Sequence, residues 1–175
     1  MVTTNNPEFA RTIRILRDWG AERKYQHVMK GFNYRMEGIQ GAILRIKLRY
    51  LERWTEARRS HAATYRELLR ESGIVLPQEV AGNRHVYHIF AVLSFEREEL
   101  MRALQERGVQ TGIHYPTPVH LLPAYSDLPY QAGDFPVSER IAAQEVSLPM
   151  FPELSRSQIH QVSEALMEHR RVCYC

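Results

Sequence analysis

Apolar residues recur every three or four positions from Glu37 onward. Ile39, Ile43, Ile46, Tyr50, Trp54, Ala57, His61, Tyr65 and Leu68 mark one face. The face runs over about thirty residues, or about 45 Å at 1.5 Å per residue. The pattern predicts one long helix, or two joined near Leu51. A shorter helical pattern precedes it: Asn6-Pro7-Glu8 is a start signal, Phe9, Ile13, Leu16 and Trp19 keep the spacing, and Gly20 ends it. Residues 21–35 show no period and read as a loop. Met1-Val2-Thr3-Thr4 reads as the end of a strand, which suggests a chain that starts within a sheet.

Beyond Gly73 the pattern changes. His85 to Leu93 is the richest run of β-formers. Glu96 to Arg107 predicts a helix with Leu100, Ala103 and Leu104 inward, stopped by Gly108. Val109 to Tyr115 predicts a second strand. Pro116, Pro118 and Pro123 then impose an ordered loop, and Gly133-Asp134-Phe135-Pro136 a turn. Pro136–Gln144 predicts a short helix, Val146–Leu148 a strand, and Ser155–Arg170 a last helix with Ser155 or Ser157 as cap. Strands alternating with helices predict an α/β sandwich, a sheet covered by helices.

Composition narrows the class. The chain has 175 residues, 44% of them hydrophobic and 25% charged, as in folded soluble proteins. No apolar run is long enough for a transmembrane helix and residues 1–7 do not resemble a secretory signal, so the expected location is the cytoplasm. Charge is uneven: residues 11–70 hold 15 Lys and Arg against 6 Asp and Glu, and the rest 8 against 14. A basic first third suits an anionic partner or a solvated arginine-rich helix. Arg45, Arg49 and Arg53, four apart, raise the alternative of a non-enzymatic basic helical module that binds a protein or nucleic acid. Gly38 and Gly41 cost helix propensity, about 1 kcal/mol each relative to Ala. They make sense where a backbone or ligand passes close.

Eight histidines invite a metal reading, but their spacing does not support one. His85 and His88 would face opposite sides of a strand, His160 and His169 are over two helical turns apart, and His114 and His120 lack a third ligand. Cys173 and Cys175 have no second cysteine pair. Phosphate-loop, dinucleotide and nucleophile-elbow motifs are absent. The polar chemistry gathers in two stiffened loops, Gly31–Arg35 and Thr111–His120. Such loops often bind ligands. The alternative is structural: Tyr34 and Tyr115 pack inward while Arg35 and His114 cap a helix or a carbonyl.

Several blocks in order carry a resemblance. They are Met1–Thr4, Gly31–Leu48 (GFNYRMEGIQGAILRIKL), Arg58-Arg59 with Tyr65, and His85–His88. Thr111–Tyr125 (TGIHYPTPVHLLPAY), Gly133–Pro136 and Ser147–Met150 follow. The chain resembles the C-terminal half of the DegT/DnrJ/StrS-type sugar aminotransferases, pyridoxal-phosphate enzymes acting on nucleotide-linked keto sugars. The resemblance implies an α/β fold, the C-terminal portion of a fold type I transferase. Residues 1–50 would be a remnant of the large cofactor domain, and 51–175 the small α/β domain.

It further implies a homodimer in which the GFNYRM loop reaches the neighbouring site, with Asn33 and Arg35 as cofactor contacts. Tyr34, His114, Tyr115 and His120 become substrate contacts. The partners implied are a nucleotide sugar and an amino-acid donor, glutamate, with neither membrane nor nucleic acid. The family's Schiff-base lysine lies upstream of the segment matching Met1–Thr4. Lys24, Lys30 and Lys47 do not match its motif. The expectation is a truncated or split enzyme, inactive alone and not binding pyridoxal 5′-phosphate stably. An apolar surface at Phe9, Ile13, Leu16 and the long helix should be exposed.

Overall fold

The computed structural model describes residues 2–173, with side chains described through His169. The chain forms two compact units, Met1–Tyr50 and Leu51–Cys175.

In the first unit, helix α1 (Pro7–Arg17) starts as the sequence dictates. Asn6 Oδ1 accepts from the N–H groups of Glu8 (2.9 Å) and Phe9 (3.2 Å), satisfying orphan donors of the first turn. It ends with Trp19 at φ 59° and Gly20 at φ 74°. The Gly20 N–H reaches the Ile15 carbonyl at 2.9 Å, the long bond of a Schellman-type stop. Ile15 is this unit's buried apolar side chain among the described residues, while Phe9 is exposed and Ile13 and Leu16 are half-buried.

Two expectations change here. Val2–Thr4 form no strand, and Thr4 Oγ1 accepts from the Asn6 N–H at 3.0 Å, closing a turn instead; Met1 lies outside the described residues. The 21–35 loop contains a small antiparallel ribbon, β1 (Ala21–Arg23) with β2 (Gln26–His27), whose register is irregular. Strands of two or three residues are too short to show a period.

Helix α2 (Gly38–Leu48) closes the unit with no buried residue. Ile39, Ile43, Leu44, Ile46 and Leu48 are exposed. Space at Gly38 is open and only the Met36 side chain nears Gly41, so among the described residues no other backbone comes close to either.

The long helical pattern resolves into α2 and α3 (Leu51–Leu69). At the join, the N–H groups of Arg49 and Tyr50 bond three residues back, to Ile46 (3.1 Å) and Lys47 (3.0 Å).

The second unit holds the main core. α3 buries Thr55, Ala62, Tyr65 and Leu69, leaving Trp54, Ala57, His61 and Leu68 half-buried. β3 (Phe90–Leu93) pairs antiparallel with β4 (Glu145–Leu148), Phe90 opposite Leu148 and Leu93 opposite Glu145. Single bridges extend the sheet on both sides, Val75 to Leu93 and Gly112 to Ser147. α4 (Arg97–Glu106) buries Leu100 and Leu104, and α5 (Pro136–Gln144) buries Ala142. α6 (Arg156–Cys173) packs against α3 and α4 through Ile159, Val162 and Leu166. Its start is a capping box: Gln158 Oε1 accepts from the Ser155 N–H at 2.9 Å, and Ser155 Oγ from the Gln158 N–H at 3.3 Å. Cys175 and the Cys173 side chain lie outside the described residues.

Both long strand expectations shorten, for a shared reason: side chains take the backbone groups that a ladder would use. Tyr87 sits at φ 46°, outside β space. Arg58 Nε donates to the Val86 carbonyl (3.1 Å), Arg59 Nη1 to that of His85 (2.7 Å), and the His85 N–H donates to Glu79 (2.8 Å). The ladder therefore begins only at Phe90. In the 109–115 segment only Gly112 pairs with β4, because the His114 N–H donates to the Glu145 carboxylate at 2.6 Å.

Candidate functional site

The Gly31–Arg35 arm lies along the end of α1, held mainly by its backbone. The N–H groups of Phe32 and Tyr34 donate to the carbonyls of Leu16 (2.7 Å) and Arg17 (2.9 Å), and that of Trp19 donates to Phe32 (2.9 Å). These carbonyls belong to the last turn of a helix, where partners are otherwise missing. The crossing requires glycine on both sides. A Cβ on Gly31 would sit 2.6 Å from the Trp19 carbonyl carbon, and one on Gly20 2.7 Å from that of Met29.

Extended backbone alternates its side chains. Phe32 and Tyr34 share a face, rings stacked with centroids 5.0 Å apart. Asn33 and Arg35 take the other. Arg35 Nη1 lies 3.1 Å from Asp18 Oδ1, both about half exposed, so the pair aims the guanidinium more than it stabilises the fold. The Asn33 side-chain amide has no protein partner among the described residues. An amide and a guanidinium with N–H groups to spare suit a phosphate. Tyr34 is 74% exposed, so it does not pack inward.

The second loop lies in the other unit. His114 is anchored twice: its backbone N–H on Glu145 Oε2 (2.6 Å), and its Nδ1 2.9 Å from Ser147 Oγ. Ser147 Oγ in turn donates to Glu145 Oε1. Glu145 is only 2% exposed, a buried carboxylate satisfied by these donors as burial demands. His88, Gln110, Gly112, His114 and Ser147 line a cavity of about 280 Å³. A Cβ on Gly112 would come within 3.0 Å of the His114 ring. Tyr115 is 73% exposed, its ring edge-on to His114 at 5.6 Å.

His120 is engaged elsewhere. Its Nε2 lies 3.1 Å from Glu139 Oε1 and its ring stands edge-on to Phe135 at 4.8 Å. Glu139 also accepts from the N–H groups of Gly133 (2.9 Å) and Phe135 (3.3 Å). The Gly133 bond first, then those of Phe135 and His120, hold its carboxyl below the ordinary value. His114 and His120 thus share no partner. Among the described residues no group of three or more His, Cys, Asp or Glu could hold a metal, and no helix is long and apolar enough to cross a membrane.

Sequence reasoning did not single out Asp18, Glu139 or Glu145, and it gave Ser147 no partner. Glu145 had a signal: a carboxylate opening an otherwise apolar strand segment. Asp18 had none, since its partner is seventeen positions away.

An aminotransferase family profile, that of the DegT/DnrJ/EryC1/StrS family, matches residues 1–167, and the chain belongs to that family. It is 42% identical over 174 residues to a pleiotropic regulatory protein of Geobacillus stearothermophilus, covering 98% of this chain and 47% of that protein. It is 42% identical over 165 residues to a dTDP-3-amino-3,6-dideoxy-alpha-D-galactopyranose transaminase of Aneurinibacillus thermoaerophilus, covering 94% and 45%. The crystal structure of S. venezuelae DesV in complex with a ketimine intermediate superposes with a TM-score of 0.89 at 40% identity. That match covers 96% of this chain and 46% of DesV. The chain therefore spans about half the length of the curated relatives it matches.

Proposed function

We propose that this chain is the C-terminal part of a pyridoxal-phosphate-dependent aminotransferase that transfers an amino group, from glutamate as donor, to a nucleotide-linked keto sugar. The identity with the Aneurinibacillus transaminase over 94% of the chain carries the reading. In it, Asn33 and Arg35 hold the cofactor phosphate through N–H donors, with Asp18 steering the guanidinium. When bound, pyridoxal phosphate supplies the electron sink for amino transfer. Tyr34, His114 and Tyr115 contact the substrate. His120, engaged by Glu139, acts by shaping the loop that carries them. Residues 1–50 belong to the cofactor domain of the whole enzyme and 51–175 to its small domain. The whole enzyme works as a cytoplasmic homodimer.

The same reading assigns the chain alone no covalent cofactor capture. Lys24, its ammonium 5.1 Å from the Tyr25 ring centre, and Lys30 and Lys47 stand outside the family's lysine motif. Treating the chain with pyridoxal phosphate and then borohydride should leave no stoichiometric adduct at a defined lysine; one on any of the three would overturn this assignment. Titration with dTDP, followed by amide NMR, should shift Tyr115 and its neighbours. An unperturbed 111–120 loop at saturating dTDP would count against the substrate role.

A further inference from the structure

We propose that Glu145 and Ser147 are positioning residues that set the tautomer of His114, so that its Nε2 meets the ligand as a hydrogen-bond acceptor. The proposal rests on His114 facing substrate, but the relay itself is testable without any ligand.

The direction of each bond follows from what each group can do. The His114 backbone N–H can only donate, and it donates to Glu145 Oε2 at 2.6 Å. The remaining oxygen, Oε1, accepts the Ser147 hydroxyl proton. A hydroxyl has one proton. Once it is given to the carboxylate, Ser147 Oγ can only accept from His114 Nδ1, 2.9 Å away. Nδ1 therefore carries a proton whether the ring is neutral or charged. In the neutral ring Nε2 has only its lone pair.

Three features make the relay rigid. Glu145 and Ser147 are 2% and 6% exposed. Both lie on β4, two residues apart, so they project from the same side of the strand. Ser147 is also fixed through its backbone: its N–H donates to the Gly112 carbonyl at 2.8 Å and its carbonyl accepts from the Gly112 N–H at 3.1 Å. Gly112 leaves room for the ring, since a Cβ there would crowd His114 Cε1.

Two consequences follow. Ser147 Oγ meets His114 only as an acceptor, because its one proton goes to the Glu145 carboxylate. The group that Nε2 selects is a donor: a sugar hydroxyl or a base imide N–H, rather than a phosphate oxygen or a carbonyl.

The test is ¹⁵N NMR of the histidine rings in the full chain near neutral pH, with His114 assigned by its loss in His114→Asn. The expected pattern is a protonated, pyrrole-type Nδ1 and a bare, pyridine-type Nε2. Ser147→Ala, checked for folding by circular dichroism, should move His114 toward the Nε2–H form favoured by free imidazole. An Nε2–H pattern in the unaltered chain, or no change in a folded Ser147→Ala, would overturn the relay. If Ser147→Ala fails to fold, the unaltered chain's pattern decides alone. Loss of dTDP binding with the Nδ1–H pattern intact would instead strike at the substrate reading and leave the relay standing.

Discussion

At the scale of single residues, Glu139 shows how one carboxylate organises a loop. It gathers the Gly133 and Phe135 N–H groups and the His120 ring. These donors, the Gly133 N–H first, hold its carboxyl below its ordinary value. A depressed carboxylate contributes stability that is fully present above its unfolded pKa and is lost as pH falls through the folded value. The melting temperature should therefore drop in acid, below about pH 4.5, and Glu139→Gln should flatten part of that drop while starting lower at neutral pH. Identical acid slopes for the two proteins would refute the assignment. None of this was legible in the chain order, because the turn and the helix that meet at Glu139 were each readable but their partnership was not. The arm's residues were more legible: Asn33, Tyr34 and Arg35 sit at the surface, and the alternative that Tyr34 and Tyr115 pack inward does not hold. Arg35 and His114 do bond within the protein, but to the side chains of Asp18 and of Glu145 and Ser147 rather than to a helix end or a carbonyl.

At the scale of elements, helices were read well and strands poorly. α1, α4, α5 and α6 announce themselves through caps, glycine stops and apolar spacing over two or more turns. β3 and β4 are each four residues long, and the flanking β-formers spend their backbone groups on Arg58, Arg59, Glu79 and Glu145 side chains. Such bonds form between distant residues and leave no periodic trace. The β3–β4 pair nonetheless centres the core. Phe90 is fully buried and stacks on Tyr65 with centroids 5.0 Å apart. Phe90→Ala should cost about 3–5 kcal/mol, as large-to-small changes at packed aromatic sites do, measured by urea denaturation. Tyr65→Phe, which loses only the bond to the Pro149 carbonyl (3.1 Å), should cost about 1 kcal/mol. Comparable losses from the two changes would mean that the ring stack matters less than the hydroxyl.

At the scale of the whole molecule, the two units differ in how they are stabilised. The second unit closes around a continuous apolar core that runs from Ala62 to Leu166. Residues 1–50 bury one apolar side chain, Ile15, among those described, and show Tyr34, Met36, Ile39, Ile43 and Leu48 to solvent. The sequence predicted exposed apolar surface, and it is found on α2 and at Phe9, less at Ile13 and Leu16. Apolar surface on this scale promotes association. Sedimentation velocity should show a concentration-dependent rise in mass, and Ile39→Glu with Ile43→Glu should reduce it. A monomer at all concentrations would contradict this.

The backbone-only crossing at Gly20 and Gly31 has one more consequence. Because Arg35, through Asp18, is the one side chain of residues 32–35 with a tie to the end of α1 among the described residues, the scaffold dictates little of what Phe32, Asn33 and Tyr34 present. The arm behaves as a socket: its fixture is two glycines and three main-chain bonds, and its fittings are interchangeable. Ligand preference at Asn33 and Tyr34 is thereby free to evolve, or to be engineered, without renegotiating the fold that presents them.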